Sequence, residues 1–519
     1  ISVAHNYGSH KLTLHSVFLE DDVVVSVHLL TLLFDRSGLT LHRLAELTRI
    51  PEPRLRKELN TLNQELQPQA CIQINDAVVS LSLTSPGQLF ELKKQLYQKS
   101  EVLQVMAYLL NHRGRSVTTF CQEHYFSEPT FYRLQRQCKD FLQTVGLTIR
   151  RGQICGQEYR KRYLIAALSC HYGIDCVDFG SASQQIVKNF VIAANPGVKP
   201  LLDKMPQAFA MFDHLIALTW LRHDQSLELP TDNFWRAVCQ EKAHQQLERM
   251  VDEYLQPQLS FELTPLDHDY LYLVYLTVAN ELFRDDAWSL QRATFREILQ
   301  QLPEIRRLTD AFAALWGEPL IKTAAFKETV NGFGLHFMGG LQNLVIERQL
   351  DYQTENKSQR LTDQLVKMIV MRWCRQNHWS DLVDDNQVKY FSRQLLPLIE
   401  EQLPATPLYI FTKSRADYEV VAQMVRQEFG NRLQISSCSY FSAEQLKQIN
   451  QVPQSMILAD HEFWELLADT NSNNQRFLIT LDNPFLGIKR LQTSLYRLRT
   501  TAYAENLTEK LSILHAQEG

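Results

Sequence analysis

Twice within the first 156 residues, three short helical periods run into a two-strand hairpin. That repeated pattern limits the N-terminal part of the chain to a few folds. In the first repeat an apolar stretch, residues 23–35, stops at Arg36-Ser37-Gly38. Thr40 then stands as N-cap of a short helix, Leu41 to Thr48, with Leu41, Leu44 and Leu47 at three-residue spacing. Arg49-Ile50-Pro51 makes a turn, and a third helix is predicted from about Pro53 to Leu66. Leu55, Leu59, Leu62 and Leu66 share its inner face, and Arg56, Lys57, Asn60 and Gln64 its outer face. Residues 71–82 read as two strands around Asn75-Asp76. Three helices and a β-hairpin make a winged helix.

The second repeat begins with an apolar helix, Glu101–Asn111, broken at His112-Arg113-Gly114-Arg115. Ser116 caps Val117–Tyr125, and Ser127 caps a third helix with Glu128 and Pro129 in its first turn, where acid and proline are best tolerated. Phe131, Leu134, Cys138, Phe141 and Leu142 point inward; Pro129, Tyr132, Arg133 and Arg136 point outward. Residues 146–156 read as a hairpin whose turn carries Arg150 and Arg151, a basic wing. An apolar inner stripe with an outer face of arginine, tyrosine and amide side chains suits a helix lying in a DNA groove. Three-helix units also serve as packing modules, so each unit alone leaves that alternative open.

The chain is acidic overall, with net charge −5, so its charge total gives no sign of nucleic-acid binding. Its distribution does: between Glu101 and Arg162 ten basic residues face five acids. Affinity for DNA rests on phosphate neutralisation, so such a patch is a footprint or, equally, a solvated face. At 519 residues the chain has room for roughly three to five domains. Scarce glycine and proline, 18 of each, favour helix over sandwich or barrel. The nine cysteines are scattered, with no C-x-x-C pair and no metal-ligand spacing, so neither metal nor cofactor is expected. Their odd number argues against a complete disulfide framework, and cytoplasm is the expected location. No uncharged apolar run reaches 18 residues, so no membrane contact is expected. The first residues lack the pattern of a signal peptide and begin without Met, so part of the native N-terminus is expected to be missing.

Residues 147–164, LTIRRGQICGQEYRKRYL, carry a hairpin followed by G-x-E-x-x-x-R at Gly156, Glu158 and Arg162. This junction resembles that of bacterial regulators with phosphotransferase-system (PTS) regulation domains, and the order of parts resembles the Mga/AtxA family of virulence regulators. The resemblance implies a multidomain, mainly α chain: an N-terminal segment (1–22), winged helix-turn-helix units at 23–85 and 86–163, helical PTS regulation domains at 164–290 and 291–402, and at 403–519 an α/β domain like the sugar-transport component IIB. It further implies a homodimeric, DNA-binding transcription activator, dimerising through the regulation and IIB-like domains. Its activity would respond to histidine phosphorylation by the phosphocarrier proteins of the sugar-transport system.

Residues 163–402 read as successive amphipathic helices. Asp213-His214 followed by an apolar helix to Arg222 resembles the family's D-H…R helix, making His214 the first candidate phospho-acceptor; a half-buried structural histidine is the alternative. Tyr275 stands where the resemblance places a second histidine, and His268 lies two turns earlier. Residues 334–348 resemble the matching helix of the second repeat, making His336 a candidate. Gly332, Gly334, Gly339 and Gly340 follow no phosphate-loop pattern and are expected to permit close packing. In the C-terminal domain, strands at 408–411, 433–438, 455–459 and 477–481 alternate with helices at 416–429, 442–449 and from Gly487, which implies a parallel sheet. The loop after the first strand, residues 412–417, holds no cysteine, and Cys438 ends the second strand. The resemblance there leaves docking or dimerisation rather than phosphotransfer. An enzyme is not expected, since H-E-x-x-H and Walker motifs are absent. Two further readings remain: an RNA-binding antiterminator, which typically begins with a β-rich module instead, and a protein–protein adaptor.

Overall fold

The computed structural model describes residues 18–518 except 86–87, 112–113, 205–208, 231–234, 236–238, 240–241, 279, 281–296, 346–356, 380–382, 438–448, 450–454, 466 and 468–473. Helix α1 (Asp21–Asp35) starts two residues ahead of the apolar stretch, because Asp21 and Asp22 suit the positive end of a helix. Strand β1 (Leu39–Thr40) feeds α2 (Leu41–Thr48), where the Arg43 N–H donates to the Thr40 side chain. After a turn at Arg49, which has a left-handed φ of 58°, α3 (Glu52–Leu66) buries Leu55, Leu59, Leu62 and Leu66. Each such burial contributes about 1.5–3 kcal/mol. Strands β2 (Ala70–Asn75) and β3 (Val78–Leu83) pair antiparallel, closing with Asn75 opposite Val78, and β1 adds to the other edge of β3. Asp76 and Ala77 both take positive φ, the tight hairpin turn whose twist matches the strands.

The second winged unit is built alike. Helices α4 (Gln88–Tyr97), α5 (Glu101–Leu110), α6 (Val117–Glu123) and α7 (Glu128–Thr144) precede strands β4 (Thr148–Arg150) and β5 (Gln153–Cys155). Ser116 and Ser127, the caps read from sequence, each accept a backbone N–H three residues on, and Ser100, not among those caps, does the same for α5. Glu20, assigned by sequence to the N-terminal segment, accepts from Ser100 Oγ (2.6 Å) and the Val102 N–H (2.9 Å) at the start of α5. Phe18 meets Phe141 of α7 edge-on at 5.7 Å.

Helix α8 (Glu158–Tyr172) leaves the wing and is buried on nearly every side, from Tyr159 and Tyr163 to Cys170 and Tyr172. A helix enclosed all round is a central rod. Helices α9 (Ser181–Ala194), α10 (Lys199–Lys204), α11 (Ala210–Leu221), α12 (Lys242–Met250) and α13 (Pro265–Thr277) follow. Then come α14 (Pro303–Trp316), α15 (Glu318–Ile321), α16 (Ala324–Met338), α17 (Lys357–Gln376) and α18 (Asp385–Glu401). Among the described residues from 163 to 402 there is no strand.

The chain forms two compact units, one from the described residues of 18–311, 327–353 and 367–391, the other from 312–326, 354–366 and 392–518. In the second, β6 (Thr406–Phe411), β7 (Leu433–Ser437), β8 (Met456–Ala459) and β9 (Gln475–Leu478) form an all-parallel sheet in the order β7-β6-β8-β9. Helix α19 (Arg415–Phe429) and the long α20 (Pro484–Glu518) cover the face built on Leu408, Ile410, Leu458 and Phe477. Gly487 permits this contact, since a Cβ there would lie 2.7 Å from the Leu478 carbonyl oxygen. Strand β9 sits two to three residues earlier than its apolar run suggested, because the four-residue β8 sets its register, Met456 opposite Gln475. Cys438 and the helix expected at 442–449, Ile449 apart, lie outside the described residues, as does Arg348. Among the described residues no helix is long and apolar enough to cross a membrane.

Candidate nucleic-acid interface

Both third helices present the outer faces read from sequence. On α3, Arg56, Lys57 and Asn60 are exposed and hold no ion pair among the described residues. Their surroundings are acidic: Arg54 pairs with Glu58 (3.3 Å), Lys99 with Glu65 (2.9 Å) and, on α2, Arg43 with Glu46 (2.8 Å). From Glu52 to Leu83 the first unit carries three cations against four acids.

The second unit differs. Arg133 and Arg136 on α7, and Arg150 and Arg151 at the wing, are exposed and unpaired among the described residues, as is Lys139. From Glu128 to Cys155 five cations stand against two acids. Of those acids, Glu128 sits at the favourable end of α7 and accepts from Thr118 Oγ1 (2.9 Å). Arg151 and Gly152 both take positive φ, so the turn projects its arginine from the wing tip. Tyr132 is exposed beside Phe131. Sequence reasoning missed Tyr125: it occupies the turn between α6 and α7 with φ 57°, and is 97% exposed. A large aromatic placed in the break between two capped helices was the available signal.

The junction motif closes into a buried ionic knot directly behind the wing. Gly156, at φ 143°, lies where a Cβ would press on Leu147. Glu158, 2% exposed, accepts from Arg222 Nε (2.5 Å) and Nη2 (3.1 Å) and pairs with Lys161 (2.7 Å). Burial alone would raise the Glu158 carboxyl, yet Arg222 and Lys161 hold it below the usual range. Arg162, fully buried, donates to the Arg222 carbonyl (3.1 Å) and stacks its guanidinium over Tyr270 at 4.7 Å. Arg160 donates to the Val145 carbonyl (3.2 Å) and passes Gly146 and Gly340, at both of which a Cβ would collide with it. Gly340, at φ 62°, leaves room for the Arg160 guanidinium, whereas a Cβ at Gly332 would meet nothing within 4 Å, so the close packing expected of the glycine group does not extend to Gly332.

Arg222 caps α11, the helix of His214, so α8 connects the wing to that histidine. Half-buried His214 contacts the far end of α8: its Nε2 lies 3.2 Å from Ser169 Oγ, which donates to Asp175 (2.5 Å). Its Nδ1 lies 2.6 Å from the Ala210 carbonyl oxygen. A carbonyl only accepts, so Nδ1 carries the proton and Nε2 is the nucleophilic nitrogen in the neutral ring. Burial pulls its pKa below the ordinary value, keeping that form at neutral pH. Burial also pushes the carboxyl of the adjacent Asp213 up to about 7. His336 is placed differently. It is 6% exposed, with Nε2 3.0 Å from the Thr277 carbonyl oxygen, inside the core. His268 pairs with Asp252 (2.9 Å), and Tyr275 stacks near Tyr272.

No curated protein matches the chain significantly. Residues 87–168, which run from α4 through the wing and the ionic junction into α8, match the family model of the Mga helix-turn-helix domain. That match supports the Mga/AtxA family of regulators for this chain, and with it a DNA-binding transcription regulator.

Proposed function

We propose that the chain is a transcription activator that grips double-stranded DNA chiefly with its second winged helix, under control of phosphorylation at His214. The observation carrying this reading is the set Arg133, Arg136, Arg150 and Arg151, unpaired among the described residues, on one recognition helix and its wing. Arg56, Lys57 and Asn60 of the first unit add a weaker contact. Regulation would run along α8. A phosphoryl group on His214 Nε2 would bring a dianion against Asp175 and the negative C-terminal end of α8, with Lys94 the nearby cation. Pushing that end of α8 would move the wing through the Glu158–Arg222 knot. His336, enclosed in the core, takes a structural role.

In this reading 164–290 and 291–402 are PTS regulation domains, and 403–519 is a IIB-like domain without its cysteine, serving docking or homodimerisation. The experiment is a gel-shift titration on upstream DNA at two salt concentrations, before and after incubation with the phosphocarrier proteins of the sugar-transport system. Salt-sensitive binding supports the grip, because phosphate contacts release counterions. Phosphohistidine lost in His214→Ala supports the control; absence of either removes the corresponding half.

A further inference from the structure

Cys239, His244 on α12 and Asp269 on α13 bring three donors of different chemistry to one point, and neither the DNA face nor His214 uses them. One ligand atom each from Cys239, His244 and Asp269 lies within 4.8 Å of the other two. We propose that these three residues bind a divalent transition-metal cation, Zn2+ by preference.

Tetrahedral zinc, with bonds of about 2.0–2.3 Å, spaces its ligand atoms by roughly 3.3–3.8 Å, so small side-chain movements complete the site. The donor set selects the ion. A thiolate and an imidazole favour zinc over the hard cations calcium and magnesium, which take oxygen ligands. Charge also balances, since thiolate and carboxylate together neutralise a dication. The scaffold is ordered: His244 lies in the first turn of α12, Asp269 on α13, and the two helices pack together. His244 Nε2 already lies 2.7 Å from Asp269 Oδ1, and its ring meets Tyr272 edge-on at 4.9 Å, which fixes its direction. All three residues are partly exposed, so a water takes the fourth position and the ion exchanges with solvent. Binding would tie α12 to α13, whose Tyr270 hydroxyl donates to the Leu215 carbonyl (3.0 Å) on the His214 helix.

The test is a Zn2+ titration of the metal-stripped full chain against a chromophoric chelator, with Co2+ as spectroscopic probe. Cys239→Ser and His244→Gln should each lose one equivalent of zinc while keeping the wild-type circular dichroism. Asp269→Asn should bind more weakly. With Co2+ the wild type should give a thiolate-to-cobalt charge-transfer band that Cys239→Ser lacks. Equal zinc stoichiometry in wild type and both variants, or cobalt bound without a charge-transfer band that depends on Cys239, overturns the proposal.

Discussion

The two winged helices share a plan and differ in what they offer to a partner. Each has a third helix with proline in its first turn and an apolar inner stripe, and a hairpin turned by two positive-φ residues. In the first, cations are balanced by neighbouring acids, several in direct ion pairs. In the second, five cations outnumber two acids, and the wing continues into a buried ionic knot. Fold alone therefore does not make an interface. In the proposed function, the unit whose cations outnumber its acids is the one that meets phosphate.

The knot is the sharpest difference, because among the described residues nothing equivalent follows the first wing. Glu158→Gln removes the acid from between Arg222 and Arg162 and should cost about 3–5 kcal/mol, read as a lowered denaturant midpoint. A loss below about 1 kcal/mol would mean the knot does not brace the second unit. The same stability is present above the ordinary carboxyl range and is lost as pH falls through the depressed pKa of Glu158.

Asp213 has the opposite sign. Its carboxyl is raised from 3.8 to about 7, so folding binds a proton and stability falls as pH rises between those values. Asp213→Asn should gain on the wild type across that window, with a constant advantage above it. An advantage confined to acid would contradict the assigned environment. His214 contributes with the reverse slope, since its lowered pKa penalises folding in acid.

The smallest effect separates the two hairpin turns. Ala77 carries a Cβ at φ 66°, whereas Gly152 takes φ 77° freely. Ala77→Gly should stabilise, and Gly152→Ala destabilise, each by about 1 kcal/mol in thermal melts. Matching signs would break the parallel between the hairpins.

Much of this architecture was legible in sequence where the physics is local. Thr40, Ser116 and Ser127 act as the caps they resemble, and the leucine period of α3 is its buried face. Tandem winged units, a helical middle and a parallel C-terminal sheet followed from such signals. What stayed hidden is long-range. Glu158 and Arg222 both stood in recognised motifs, yet a pairing across 64 residues has no local signature. Cys239, His244 and Asp269 come from separate elements at spacings typical of no metal motif, so sequence pointed to no metal there. His336 read as a candidate by analogy, while its burial depends on α13 supplying the Thr277 carbonyl.

The central claim, that the second winged helix carries the DNA grip, is tested most directly by salt-dependent gel shifts of paired variants on one upstream fragment. Arg133→Ala with Arg136→Ala should weaken binding at least about tenfold and flatten the salt slope by about two contacts. Arg56→Ala with Lys57→Ala should cost less than about threefold. An equal loss in both pairs, or a greater loss in the first unit, would contradict the account.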